Sequence, residues 1–305
     1  MSSPILVTGA TGNVGHPLVH TLLAAGHPVR ILVTDPTAAL RTLAADAGVA
    51  GASHAGAGMA ARLTAARFDF TDPATFAAAF AGARALFLLR PPAISDAAGV
   101  INPAVDAAVA AGVRHVAFLS IQGAEQNPVV PHHAVERHLE RLADREVTYT
   151  FLRAAFFMQN LSTTHAADIR ELGEVLVPAG SGRTAFVDAR DVAAAAARVL
   201  TDPTPHADRA YELTGREALT YDEVAAILSR VLGRSIAYRH PGALRFYRHM
   251  RRRGHPRAYV AVMVALYTTA RLGLAARLSP ELEQLLGRAP TPFEAFARDH
   301  ADAWR

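Results

Sequence analysis

Gly9-Ala10-Thr11-Gly12-Asn13-Val14-Gly15 is the stretch on which the reading of this chain turns. Ile5-Leu6-Val7-Thr8 before it is a short apolar, β-branched run, and the residues after it set Val14, Leu18, Leu22 and Leu23 on the inner face of a helix. In a strand, glycine turn and helix of this kind, the glycines permit a tight turn and a close backbone approach. Free N–H groups at the helix start can then meet a pyrophosphate. The ligand implied is a dinucleotide. A tight turn with no ligand would use the same glycines, so the flanking strand and helix carry the inference.

Outward from the loop, short runs at residues 29–33, 67–70, 85–89, 115–119 and 149–152 alternate with longer alanine-rich stretches of helical pattern. That rhythm predicts an α/β fold, a doubly wound parallel sheet of the Rossmann type covered by helices. Gly26 and Pro28 follow one helical pattern, Asp72-Pro73 opens another as N-cap and first-turn proline, and Gly82 and Gly112 close two more. Residues 38–66, with Gly51, Gly56 and Gly58, are long for a connection between two strands, and a helix with a flexible loop is expected there. After Leu152 the pattern turns irregular. It returns with Ala185-Phe186-Val187, a helix over 191–200 and a strand over 210–213, and Thr220-Tyr221-Asp222-Glu223 is a capping box for a helix ending near Gly233. The expected division is a dinucleotide-binding domain over residues 1–155, completed by about 184–215, and a smaller, mainly helical substrate-binding region from 156–183 and 216–305.

A chain of 305 residues, 51% of them hydrophobic, can bury a sizeable core. The absence of cysteine excludes disulfides, thiolate metal sites and a cysteine nucleophile. Net charge +4 and a pI near 9.8 suit an anionic ligand but fall short of a nucleic-acid footprint. Met1-Ser2-Ser3-Pro4 runs straight into the first strand with no secretory pattern, so a cytoplasmic location is expected. The apolar run between Arg257 and Arg271 is shorter than the roughly 20 residues of a membrane span and reads as a buried helix. No membrane or nucleic-acid partner is expected, and the partner implied is a small molecule.

The end of the second strand normally sets preference at the ribose 2′ position, an acid taking the hydroxyl and an arginine a 2′-phosphate. Here it reads Val33-Thr34-Asp35-Pro36. Asp35 stands about 20 residues beyond Gly15, as a ribose-binding acid would, and Asp35-Pro36 is equally a turn.

At this point the sequence resembles the NmrA-like members of the atypical short-chain dehydrogenase/reductases, over nearly the whole chain. Besides the glycine loop, the resemblance rests on Phe68-Asp69-Phe70-Thr71-Asp72, Leu86-Phe87-Leu88-Leu89-Arg90-Pro91-Pro92, His133 to Glu136 and Tyr149-Thr150-Phe151-Leu152-Arg153. It continues through Phe156-Phe157-Met158-Gln159-Asn160, Val187-Asp188-Ala189-Arg190-Asp191 and Leu219-Thr220-Tyr221-Asp222-Glu223. Within the family the chain looks nearest to bacterial relatives of the ergot-alkaloid reductases and to NADPH-dependent quinone reductases. The resemblance implies NADP as cofactor, with NAD as the alternative. It also implies that Gly9, Thr11, Gly12, Asn13, Val14 and Gly15 form the pyrophosphate loop, that Asp69 and Phe70 meet the adenine, and that Leu89, Arg90 and Pro91, with Pro92, border the nicotinamide. Many NADP-preferring members carry arginine where this chain has Thr34; Arg41, or another arginine of residues 38–66, is the candidate replacement.

The wider superfamily uses a Tyr-x-x-x-Lys pair, in which lysine lowers the tyrosine pKa for proton donation as hydride arrives. This chain lacks it. In its place stands His132-His133-Ala134-Val135-Glu136, with His133 and Glu136 on one helix face. A histidine can protonate a reduced carbonyl, quinone or enone oxygen, and His133 is the candidate acid. The competing reading is a histidine that orders the cofactor or caps a helix. Ser120, at the end of the fifth strand, is a candidate for hydrogen bonding to substrate or a turn former. Adjacent histidines point in different directions on a helix, so no metal site is expected.

Residues 244–257 hold Arg245, Arg248, Arg251, Arg252, Arg253 and Arg257 among Phe246, Tyr247 and Met250, either a solvated helix end or a face for an anionic substrate or partner. Tyr259, Met263, Leu266, Tyr267 and Leu274 read equally as pocket lining and as core. The function expected is an NAD(P)H-dependent reductase acting on a small conjugated acceptor, a quinone, enone or iminium. Such acceptors need little acid catalysis, which fits the missing pair. The alternatives are a non-catalytic NAD(P)-sensing regulator with a protein partner, and a lyase or cyclase on the same fold.

Overall fold

Six strands form in the N-terminal half: β1 (Ile5–Thr8), β2 (Val29–Val33), β3 (Leu63–Arg67), β4 (Ala85–Leu89), β5 (His115–Ile121) and β6 (Thr148–Ala154). This computed structural model describes residues 3–46, 61–143 and 146–305. The strands pair in parallel in the order β6-β5-β4-β1-β2-β3, with Arg209–Leu213 beside β6. Every residue of β1 is buried, as befits a central strand covered on both faces. Strand order reverses between β1 and β4, and at such a switch point loops on the carboxyl side diverge and leave a crevice.

The chain divides into one unit of Met1–Ala154 and Arg190–Glu212 and another of Ala155–Ala189 and Leu213–Arg305. In the first, the helices Gly15–Ala24, Pro36–Asp46, Phe76–Phe80, Asn102–Ala110, Pro131–Leu142 and Ala189–Thr201 accompany the sheet. The inner face of the first is as patterned, with Val14, Leu18, Leu22 and Leu23 all buried. The third strand departs from expectation. It ends at Arg67, so Phe68-Asp69-Phe70 is loop and not strand. Phe68 and Phe70 are buried because they join Phe76 and Phe80 in an aromatic cluster, Phe68 lying 4.7 Å from Phe70 and 5.4 Å from Phe80. Burial of loop aromatics thus mimicked strand alternation, while the real edge strand, Leu-Thr-Ala-Ala-Arg, has small, half-exposed residues with a weak apolar signal. The helix expected after β2 is present; Gly51, Gly56 and Gly58 lie outside the described residues.

The second unit is mainly helical. Strand Thr184–Val187 pairs with Phe156–Phe157 and Ala218–Leu219 in a small sheet of this unit. Thr220 and Glu223 form the reciprocal capping box and Gly233, in left-handed conformation, ends the helix Tyr221–Leu232. Phe186, Tyr221, Phe246, Tyr267, Phe293, Phe296 and Trp304 fill the core. The Tyr259 to Leu274 stripe is split: Met263 and Tyr267 are core, whereas Leu266 and Leu274 are exposed. No helix among the described residues is long and apolar enough to cross a membrane.

Candidate active site

The glycine loop leaves β1 with Gly9 at φ +63°, a left-handed backbone, and closes on itself through Gly12 N–H to the Gly9 carbonyl at 3.0 Å. Gly15 begins the helix so close beneath the loop that an added Cβ would lie 2.1 Å from the Gly9 oxygen. A Cβ on Gly12 would meet only that oxygen, at 3.3 Å, so space above Gly12 is open. Thr11, Gly12 and Asn13 are exposed, and the amides of Thr11, Asn13 and Val14 find no acceptor among the described residues. Three unpaired donors at a helix N-terminus with no acidic residue in its first turn make a site for an anion.

Neighbouring strand ends are locked against this loop. Thr8 Oγ1 donates to the Phe87 carbonyl at 3.1 Å and accepts from Leu89 N–H at 2.7 Å, and the Leu89 side chain packs where a Gly9 Cβ would be, at 3.2 Å. Beyond Leu89, Arg90 folds the turn by donating to the carbonyls of Pro91 at 2.9 Å and Ile94 at 2.6 Å. Leu89, Arg90 and Pro91 therefore form a shaped rim held by their own hydrogen bonds. Asp69 Oδ1 accepts from both Thr71 N–H at 2.8 Å and Thr71 Oγ1 at 2.7 Å, which holds the carboxyl below its ordinary range and keeps it charged. The Phe70 ring turns into the core. Thr34 is exposed; Asp35 Oδ1 accepts from Ala38 N–H at 3.0 Å, so this carboxylate caps the start of the helix Pro36–Asp46.

On the β5 side, Ser120 is buried and donates to Glu136 Oε1 at 2.6 Å. Glu136, also buried, is held by Arg153 through Nε at 3.1 Å and a terminal nitrogen at 2.7 Å. Arg153 also faces Glu125 at 3.3 Å, and these carboxylates outweigh burial to keep its pKa high. Ser120 thus offers a lone pair, its proton being committed to Glu136. His133 and Glu136 share a helix but not a partner: His133 Nδ1 lies 2.9 Å from the Ala124 carbonyl. A carbonyl only accepts, so Nδ1 carries the proton and Nε2 is left to take or give one. Its neighbour His132 is held neutral, burial and the nearby Arg90 charge lowering its pKa to about 3. The 31 basic side chains of this chain are all arginine, so no lysine is available to any tyrosine.

Sequence reasoning missed the Glu136–Arg153 pair and the Thr8 latch. A buried carboxylate and its arginine lie 17 positions apart and meet only because β6 pairs beside β5, Ser120 opposite Arg153 in register. Periodicity could have flagged Glu136 as inward facing, since it adjoins Val135 and precedes Leu139 on one helix stripe.

Glycine loop, switch point and free helix-start amides together define a dinucleotide-binding Rossmann protein. A model of the NmrA-like family matches residues 1–296, and the chain belongs to that family. It is 33% identical to the NAD(P)H azoreductase of Xenophilus azovorans over 98% of this chain and 99% of that protein. It is 34% identical, over 98% and 99%, to the (4-alkanoyl-5-oxo-2,5-dihydrofuran-3-yl)methyl phosphate reductase of Streptomyces griseus. Among solved structures, the NADPH-dependent quinone oxidoreductase of Escherichia coli complexed with NADPH matches with TM-score 0.80 at 27% identity, covering 98% of this chain and 99% of that one.

Proposed function

We propose that this chain is an NADPH-dependent reductase that transfers hydride to a small conjugated acceptor, a quinone, enone or iminium. The observation that carries the reading is the set of unpaired amides at Thr11, Asn13 and Val14 beside an exposed Gly12, a cradle for a pyrophosphate. The relatives support the acceptor class, since an azo group, a quinone and a dihydrofuranone all take electrons into a conjugated system.

NADPH, when bound, supplies the hydride. The loop holds its pyrophosphate, Asp69 and the backbone of Phe70 border the adenine, and Leu89, Arg90 and Pro91 shape the nicotinamide rim. Arg41, exposed on the helix after Thr34, is the cation for the 2′-phosphate. With Nδ1 held by the Ala124 carbonyl, His133 presents Nε2 as the ring nitrogen through which a proton is exchanged with the acceptor. That proton passes to the acceptor oxygen as carbon or the conjugated system receives the hydride, so one hydride and one proton complete a quinone's reduction. With no Tyr-Lys pair, orientation of the two reactants carries the rest of the rate.

The test is purified protein with NADPH and a panel of quinones, enones, iminium ions and azo dyes, following absorbance of the reduced nicotinamide. Acceptor-dependent oxidation is expected. NADPH binding without oxidation by any acceptor would overturn the catalytic reading, and no NADPH binding would overturn the site.

A further inference from the structure

In the second unit, the helix Ala243–Arg252 borders a cavity of about 500 Å³, within the roughly 300–1,000 Å³ of small-molecule sites. Its arginines divide by what they touch. Arg251 donates to the His255 carbonyl, and Arg253, just past the helix, binds Asp168 and Glu171, each at 2.9 Å. Arg245, Arg248 and Arg252 line the cavity and have no hydrogen-bond or ion-pair partner among the described residues. They stand at i, i+3 and i+7, so Arg245 faces Arg248 and Arg248 faces Arg252 along one side, where like charges destabilise a helix. The one carboxylate in the lining, Glu174, is held by Arg239 at 3.2 Å, and His249 is held by Asp168 at 2.9 Å. The rest of the wall is apolar: Leu172, Leu176 and Phe246, with Leu244 at the exposed helix start.

We propose that this cavity is a second ligand site, which takes a phosphate monoester carried on an apolar body. A guanidinium fork matches phosphate oxygens, three such groups exceed what a single carboxylate needs, and the leucine and phenylalanine wall accounts for an attached hydrocarbon. An anion seated among these exposed guanidinium groups would offset their mutual repulsion along the helix. The inference stands apart from the cofactor reading, since every residue it uses lies in Ala155–Ala189 or Leu213–Arg305.

Titration calorimetry of the full chain with hexyl phosphate, inorganic phosphate and hexanol tests it, beside co-sedimentation with phosphatidylcholine vesicles containing phosphatidic acid. Hexyl phosphate is expected to bind at least about tenfold more tightly than inorganic phosphate, hexanol not measurably, and R248Q/R252Q to weaken hexyl phosphate about tenfold or more. Loss in the variant of soluble hexyl phosphate binding assigns a free ester. Loss only of phosphatidic acid vesicle binding assigns a lipid headgroup. Unchanged binding in the variant, equal affinity for inorganic and hexyl phosphate without vesicle binding, or no binding of either ester or vesicle overturns the proposal. NADPH titration of the same variant reads the cofactor site separately and is expected to be unchanged.

Discussion

Ser120 Oγ donates to Glu136 Oε1 at 2.6 Å, and the same carboxylate is held from its other side by Arg153 at 2.7 Å. The three lie at the ends of β5 and β6 and on the helix Pro131–Leu142, and they tie that helix, which carries His133, to the sheet. Removal of the arginine leaves a buried carboxylate uncompensated, so Arg153→Ala should cost about 3–5 kcal/mol. Ser120→Ala removes one hydrogen bond and should cost about 1–3 kcal/mol, with turnover changed by less than about tenfold because the serine proton is already committed. Urea unfolding and steady-state kinetics measure both. A larger loss of turnover in Ser120→Ala at unchanged stability would give the serine a direct role.

Gly12 and Gly15 should fail differently. Gly12→Val fills the open space above the loop, so NADPH affinity should disappear while the circular dichroism spectrum and thermal midpoint stay close to the parent's. Gly15→Val drives a side chain into the Gly9 backbone and should unfold or strongly destabilise the protein. Undiminished NADPH affinity in Gly12→Val, read by calorimetry, would remove the loop from the cofactor site.

NADPH should bind more tightly than NADH, by a smaller ratio than in relatives with arginine at the position of Thr34. Arg41→Ala should weaken NADPH by about tenfold or more and leave NADH nearly unchanged, and Thr34→Arg should widen the ratio. Parallel titrations decide it, and a clear preference for NADH would put the ribose contacts of Asp35 in charge.

His133→Ala should lower turnover of quinone or carbonyl acceptors by about 10²-fold or more, with little change in NADPH affinity. An iminium ion already carries positive charge and takes hydride at carbon without first gaining a proton. Its reduction should be nearly insensitive to the substitution. Equal losses on both acceptors would make His133 a positioning residue, and a large loss of NADPH affinity would move it to the cofactor.

His132 gives the protein a pH dependence of stability. Its pKa is about 3 when folded against 6.5 when free, so between those values the unfolded chain binds the extra proton. Stability is therefore full above about pH 6.5 and falls as pH drops toward 3. At pH 5 the contribution of this one side chain should be on the order of 1–2 kcal/mol. Replacing it with the uncharged His132→Leu should shrink the difference between urea midpoints at pH 7.5 and pH 5; an undiminished difference would place the acid sensitivity elsewhere, first at His115, where burial lowers the pKa to about 4.

The sequence alone determined the parallel sheet and the glycine loop, because both are local. Gly9, Gly12 and Gly15 stand within seven residues of one another, and strand and helix periods repeat over windows no longer than an element. The capping box at Thr220 and Glu223 was legible for the same reason, its two hydrogen bonds spanning three residues. Tertiary structure alone decided the third strand, since Phe68 and Phe70 are buried in a cluster with Phe76 and Phe80 beyond the strand's end at Arg67. It also decided which groups surround His133: Ala124 and not Glu136 is its partner, and Glu136 turns to an arginine on another strand. Such contacts join residues far apart in the chain, and what selects them is the need to satisfy each buried charge and donor once the strands are side by side, a condition no local pattern records.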